Sequence, residues 1–141
     1  MNNRGYVLLV EDNPDEVFIT QRAFRKGEVA NPLTVVTNGR QALDFLFSQG
    51  SYTGRDIEDE PVLILLDLKL PLVSGLDVLK EVKANPNTNF IPVVVLTSST
   101  EDTDRTESYR LGANDFINKP TAFVEFVETI KGIKTKWLIC S

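Results

Sequence analysis

Three short runs of the chain are apolar at every position, and they constrain the fold more than any other feature of the sequence. They cover residues 7–10, 62–66 and 93–96. A strand with one face in water alternates apolar and polar side chains, so unbroken apolar runs of this length indicate strands covered on both faces. Such burial is typical of a parallel sheet with helices on both sides.

Stretches of helical length separate these runs. Asn13 followed by Pro14 is a typical helix start and Gly27 a typical helix end, which predicts a first helix over residues 14–26. A second helix is expected after Asn38, and a third after Ser74. The fourth, over about residues 100–111, is mostly polar, and we expect it to be the least firmly packed. The fifth carries apolar residues at spacings of three and four from residue 123 onward.

The alternation of strands and helices predicts an α/β fold with βαβ units. The five expected strands cover residues 6–10, 33–36, 62–66, 93–96 and 115–117. We predict a doubly wound, five-stranded parallel sheet of order 2-1-3-4-5, of the flavodoxin-like kind, with helices on both faces. At roughly 100–200 residues per domain, the 141 residues predict one domain over 1–141, with a C-terminal helix extension at about 131–141.

Composition excludes several kinds of chemistry. The chain has no histidine, which rules out a Ser/His/Asp or Cys/His catalytic unit and a His-ligated zinc site. A net charge of −5 without a basic run argues against nucleic acid as the main partner. No apolar stretch is long enough to span a membrane, and the lone Cys140 fits a reducing compartment, so we expect a cytoplasmic protein.

The charged and hydroxyl side chains that remain fall where predicted strands end. Glu11 and Asp12 follow the first strand, Asp67 the third and Thr97 the fourth, and Lys119 comes just after the fifth. In an open α/β sheet the functional crevice lies outside the carboxyl ends of the strands. With the predicted strand order, all five residues converge there.

Three crowded carboxylates repel one another unless a cation lies among them, and hard oxygen ligands suit Mg²⁺. With the metal bound, Asp67 is the natural nucleophile toward a phosphoryl group. Lys119 and the metal would neutralise charge on the phosphoryl oxygens, and the Thr97 hydroxyl would donate a further hydrogen bond. The residues alone therefore predict aspartyl-phosphate chemistry.

Four segments together resemble the receiver domain of two-component response regulators. They are VEDNP (10–14), LLDLKLP (65–71) with Gly75, LTSS (96–99) and FINKP (116–120). The resemblance extends from about residue 6 to residue 130. It implies that a partner histidine kinase phosphorylates Asp67. It also implies that Glu11, Asp12, Asp67 and the backbone carbonyl of Lys69 place Mg²⁺.

The resemblance further implies a switch. Thr97 would contact the phosphoryl group, and Lys119, joined to Pro120 by a cis peptide bond, would pair with it. Phe116 occupies the position of the switch aromatic, where many members have tyrosine, and it cannot make the hydrogen bond of a tyrosine hydroxyl. Output would pass through protein contacts of the fourth helix, fifth strand and fifth helix.

Within this family the chain looks most similar to the small regulators paired with phytochrome-type photoreceptor kinases. Members of that subgroup often dimerise, which predicts a possible homodimer. On the first helix, Ile19 is a candidate contact for the kinase. The apolar chain end suggests self-association through Trp137, with packing onto the domain's own core as the alternative.

Other functions stay open at this point. A hydrolase of the haloacid dehalogenase kind would need an acid two residues after the nucleophile, where this chain has Lys69. A nucleotide-binding module would need a glycine-rich phosphate loop, and no such motif occurs in the sequence. A flavodoxin-like cofactor binder rests on fold analogy alone. A phosphate sink or relay shuttle would keep the phosphorylation chemistry without an output conformation.

Overall fold

The computed structural model describes residues 5–138, and its centre is a five-stranded parallel sheet. The strands are β1 (Val7–Val10), β2 (Leu33–Val36), β3 (Leu63–Leu66), β4 (Val93–Thr97) and β5 (Asp115–Asn118). Their order in the sheet is β2-β1-β3-β4-β5, as predicted. Residues in β1, β3 and β4 are buried throughout, because helices cover both faces of the sheet.

Five helices connect and follow the strands. The first begins at Pro14 because the Asn13 side chain accepts hydrogen bonds from the backbone N–H groups of Asp15 and Glu16. Ser74 caps the third helix in the same way, through the N–H of Asp77. The helices are α1 (Pro14–Lys26), α2 (Gly39–Leu46), α3 (Gly75–Ala84), α4 (Asp102–Arg110) and α5 (Phe123–Ile133).

The sheet separates two apolar cores. One lies under α2 and α3 and includes Phe116 of β5. The other lies under α1 and α5 and includes Phe24 and Phe126. The side chains of each buried strand alternate between the two cores, which explains why those strands are apolar at every position. The sheet is therefore packed on both faces, which fixes the positions of the residues that follow the carboxyl ends of its strands.

The fourth helix is shorter than expected and weakly buried. It covers Asp102–Arg110, and Ser108 is the one buried residue among its nine. Weak packing was the sequence-based expectation, and it is confirmed. Gly112, with φ of 105°, lets the chain turn after the helix, where its N–H bonds the carbonyl of Tyr109.

After α5 the chain continues through a π-helical turn, Lys134–Leu138, in which Trp137 and Leu138 are half-buried against the core under α1 and α5. The predicted C-terminal helix extension at about 131–141 stays a prediction, and its residues 139–141, including Cys140, lie outside the described residues. Within residues 5–138, none of the helices combines the length and the apolar character that crossing a membrane requires.

The long connection after α2 is anchored at the edge of the sheet opposite the site. The Arg55 guanidinium lies 4.5 Å from the centre of the Phe45 ring and donates hydrogen bonds to the carbonyls of Phe45 and Asp59, both at 2.6 Å. The Tyr6 hydroxyl donates to the Asp59 carbonyl at 2.6 Å. This segment therefore has a fixed path although it contains only one short 3₁₀ turn, Gly50–Tyr52.

Candidate phosphoryl-acceptor and metal site

Asp67 lies at the end of β3, where a fully buried strand opens into the cleft. Its Oδ1 atom accepts a hydrogen bond from the Thr97 hydroxyl at 3.2 Å and one from the backbone N–H of Lys69 at 3.3 Å. The side chain is half-buried. Both donors bind the same oxygen, so Asp67 is oriented while the carboxylate still faces the cleft.

Two further carboxylates lie beside Asp67. One oxygen each from Glu11, Asp12 and Asp67 can be chosen so that all lie within 4.8 Å of one another. Glu11 is buried and Asp12 is exposed. Hard oxygen donors at this spacing, with open positions toward solvent, fit a Mg²⁺ or Mn²⁺ ion that keeps some of its waters. The residues present therefore suit a divalent cation.

Lys119 reaches the same cluster from the turn after β5. Its Nζ lies 2.6 Å from Oε1 of Glu11 and 3.3 Å from Oε1 of Glu16. Its backbone N–H donates to the Thr97 carbonyl at 2.8 Å, which fixes the start of the turn. The ammonium is thus held between two glutamates.

Burial and pairing act in opposite directions on this pair. Burial raises the pKa of Glu11 above its usual value, while the hydrogen bond and charge of Lys119 oppose that rise. Burial alone would lower the pKa of Lys119. The hydrogen bond and charge of Glu11, with the charges of Asp67 and Glu16, more than offset it, so the pKa of Lys119 is raised. Lys119 is therefore cationic at neutral pH.

Thr97 also connects the site to α4. The Ser99 N–H donates to Oγ1 of Thr97 at 3.2 Å, and the Ser99 hydroxyl donates to Oδ2 of Asp104 at 2.5 Å. The side-chain amide of Asn118 donates to the Ser99 carbonyl. A chain of hydrogen bonds therefore runs from Asp67 through Thr97 and Ser99 to the first turn of α4.

Phe116, the predicted switch aromatic, is buried, with 4% of its surface exposed. The Arg105 guanidinium of α4 lies 5.5 Å from the centre of this ring and 5.8 Å from that of Tyr109. These distances are within the range of cation–π attraction. Phe116 is thus in contact with α4 through a charged partner rather than a hydroxyl.

A cleft of about 720 Å³ opens over the acidic cluster and continues between α1 and α5. Its wall includes the half-buried side chains of Ile19 and Phe123 and the exposed side chain of Arg22. Arg22 lies 5.1 Å from the centre of the Phe123 ring. The cleft therefore extends from Asp67 to the face of α1 that carries Ile19.

The structure brings together Glu11, Asp12, Asp67, Thr97 and Lys119, which the sequence placed at one edge of the sheet.

Trp137 lies in the π-helical turn after α5, half-buried beside Lys136. The contacts of Glu16, Asp104 and Arg105 could not be predicted from the sequence. No signal within a single motif points to their partners.

One expectation is wrong. The peptide bond between Lys119 and Pro120 is trans, since the structure has no cis peptide bond among the residues it describes. The trans form is the lower in energy for a peptide bond that precedes proline, by about 0.5–1 kcal/mol. With this bond trans, Lys119 already reaches Glu11.

A family comparison defines the class of protein. The model of the response regulator receiver domain matches residues 7–131. The chain therefore belongs to the receiver-domain family of two-component response regulators, and its sheet order is that of the family's fold.

Two response regulators or regulatory proteins match most of this chain. Response regulator Rcp1 of Synechocystis sp. is 36% identical over 94% of this chain and 88% of its own length. A probable methanogenesis regulatory protein, FilR2 of Methanothrix harundinacea, is 38% identical over 94% of this chain and 83% of its own.

Solved structures extend the likeness. The phosphorylated cyanobacterial phytochrome response regulator RcpA superposes with a TM-score of 0.87 at 36% identity, over 96% of this chain and 94% of that one. The Mn²⁺-bound form of Rcp1 superposes at 0.86 and 35%, over 97% and 96%. Phytochrome response regulators are thus among the relatives of this chain, and one relative binds a divalent metal.

Proposed function

We propose that the chain accepts a phosphoryl group on Asp67 from a partner histidine kinase, in a Mg²⁺-dependent reaction, and signals through protein contacts in the cytoplasm. The observation that carries this proposal is the arrangement around one carboxylate. Asp67 is oriented by the Thr97 hydroxyl and the Lys69 N–H, and it lies beside the carboxylates of Glu11 and Asp12.

The chemistry follows from these neighbours. An oxygen of Asp67 attacks the phosphorus of the donor, and the bond to the donor nitrogen breaks. Glu11, Asp12, Asp67 and the backbone carbonyl of Lys69 are the proposed ligands of the metal, which neutralises phosphoryl charge when bound. The Thr97 hydroxyl and Lys119 stabilise the oxygens of the transferred group.

The proposed switch uses the contacts on the other side of Thr97. When the Thr97 hydroxyl moves from Asp67 to a phosphoryl oxygen, Ser99 and Asp104 are the next residues to adjust. Phe116 and Arg105 would carry the change across the surface of α4. Helix α4 has little buried surface, which favours it as the element that moves.

The proposed donor is a phytochrome-type photoreceptor kinase. Support comes from RcpA, a phytochrome response regulator that matches this chain over nearly all of both lengths. Ile19 is the proposed kinase contact, because it lies in the wall of the cleft that leads to Asp67. Trp137 is the proposed contact for a homodimer, although its half-burial leaves only part of the ring for a second copy.

A phosphate sink or relay shuttle is the second candidate. The observation in its favour is Phe116, which lacks the hydroxyl that a tyrosine at this position would offer. In either case, we propose no turnover of a separate substrate beyond phosphotransfer to Asp67 and its own dephosphorylation.

The test is the intact mass of the protein after incubation with acetyl phosphate, with and without Mg²⁺, and then with a phytochrome-type kinase as donor. We expect a gain of one phosphoryl group that requires both the metal and Asp67. Asp67→Asn is the test variant, and Asp77→Asn, an exposed change in the first turn of α3, is its matched control. A gain that persists in Asp67→Asn, or no gain with either donor, would overturn the proposal.

A further inference from the structure

Glu16 makes a contact that its place in α1 does not predict. It is the third residue of the helix, and a glutamate three positions after the capping residue usually bonds back to the N–H of that residue. Here the N–H of Asn13 instead donates to Oε2 of Glu11 at 3.3 Å. The Glu16 carboxylate reaches Lys119 at 3.3 Å, across 103 positions of the chain.

This contact competes with the assigned role of Lys119. An ammonium has three N–H donors, and the bonds to Glu11 and Glu16 use two of them. A phosphoryl group on Asp67 adds negative charge at the same place and attracts the same ammonium. Glu11 is buried beside the metal position, whereas the Glu16 side chain is 37% exposed and can withdraw into water.

We propose that Glu16 is a positioning residue, which holds Lys119 on the α1 side of the cleft and yields it when a phosphoryl group forms on Asp67. This inference rests on the proposed function. It means that the charge of Glu16 sets how readily the phosphorylated state forms, while Glu16 itself touches neither the phosphoryl group nor the metal.

Two substitutions separate this role from a general effect of charge. Glu16→Gln keeps the length and the hydrogen-bonding ability of the side chain, and it leaves the cap provided by Asn13 in place. Asp15→Asn removes the same charge one position earlier in the same exposed turn. Both changes alter the charge at the start of α1 equally, but of these two side chains only that of Glu16 bonds Lys119.

The measurement is the affinity for beryllofluoride, a stable mimic of the phosphoryl group, in the presence of Mg²⁺, followed by ¹⁹F NMR of the bound species. Because a partly exposed ion pair is weak, we expect Glu16→Gln to bind about two- to fivefold more tightly than Asp15→Asn. In a Lys119→Ala background the two substitutions should have equal effects. A purely structural role of Glu16 would not produce that dependence on Lys119.

The outcomes separate the two claims. If the wild type takes up beryllofluoride and Glu16→Gln binds no more tightly than Asp15→Asn, the inference is overturned while the proposed function stands. If the difference persists without Lys119, the inference is overturned as well. If the wild type takes up neither beryllofluoride nor a phosphoryl group from acetyl phosphate or a kinase, both claims fail together.

Discussion

Helices α1 and α4 both follow strands that end in site residues, yet they are stabilised in different ways. Helix α1 begins with a proline and an asparagine cap, and it buries Thr20, Ala23 and Phe24. Helix α4 has no side-chain hydrogen bond at its capping residue, Glu101, and of its nine residues it buries Ser108 alone. The acidic cluster is thus joined to a firmly packed helix, and Thr97 to a weakly packed one.

The difference fits the proposed division between metal binding and response. A metal site needs ligands in fixed positions, and Glu11 and Asp12 directly precede the capped and well-packed helix α1. A response needs an element with two arrangements of similar free energy, and a helix with little buried apolar surface meets that need. Substitutions in α1, in α4 and in the link from Thr97 to α4 test this contrast.

The largest expected effect comes from the core under α1. Phe24→Ala should lower the free energy of unfolding by about 3–5 kcal/mol, because it leaves a cavity in a packed core. Tyr109→Ala, at a residue of α4 that is 42% exposed, should cost far less. Urea unfolding of both variants gives the comparison. Equal losses would show that α4 is as firmly packed as α1.

A smaller effect is expected from the hydrogen bonds that join Thr97 to α4. Ser99→Ala removes the donor to Asp104 and should cost about 2 kcal/mol, since a hydrogen bond to a charged group is lost. Amide hydrogen exchange should become faster in α4 and stay unchanged in α1. Ser98→Ala, at an exposed neighbour, is the control. Unchanged exchange in α4 after Ser99→Ala would remove Ser99 from the connection.

Loss of the capping side chain should have an effect of about 1 kcal/mol in α1 and little effect in α4. Asn13→Ala removes the acceptor for two backbone N–H groups and should lower the free energy of unfolding by about that amount. Glu101→Ala removes no such bond and should be close to neutral. Thermal unfolding of the two variants checks this, and a loss at Glu101 equal to that at Asn13 would contradict it.

The smallest effect concerns Tyr6, which joins β1 to the long connection. Burial raises the pKa of Tyr6 to about 12 from 10.0. The neutral form is therefore favoured in the folded state, and its contribution to stability is present below pH 10 and lost as the pH rises toward 12. Because Tyr6 is only half-buried, we expect a contribution of at most about 1 kcal/mol.

Tyr6→Phe cannot ionise, and it should remove that part of the alkaline loss of stability. The measurement is the urea midpoint of both proteins between pH 9 and 12, with Tyr52→Phe as the control. An alkaline loss that is the same for Tyr6→Phe and the wild type would contradict the prediction.

The parts that the sequence predicted correctly depend on local signals. Asn13, Pro14 and Gly27 define α1 because caps and turns are decided within a few residues. The meeting of Asp67, Thr97 and Lys119 followed from the rule that parallel strands end at one edge. The partners of Lys119 could not be predicted in this way. The spacing favours a hydrogen bond from the N–H of Asn13 to Glu16. Only the packed positions of α1 and β5 show that Glu16 instead accepts a hydrogen bond from Lys119.

The position of Trp137 has a practical consequence for spectroscopy. It is the one tryptophan of the chain, and it lies in the π-helical turn after α5, eleven residues beyond Phe126 of the cleft wall, which corresponds to roughly 15 Å. Its half-buried ring borders the core under α1 and α5. Intrinsic fluorescence of the native protein therefore reports on the turn just after α5, and an emission change on phosphorylation would show that a structural change at the cleft reaches the end of that helix.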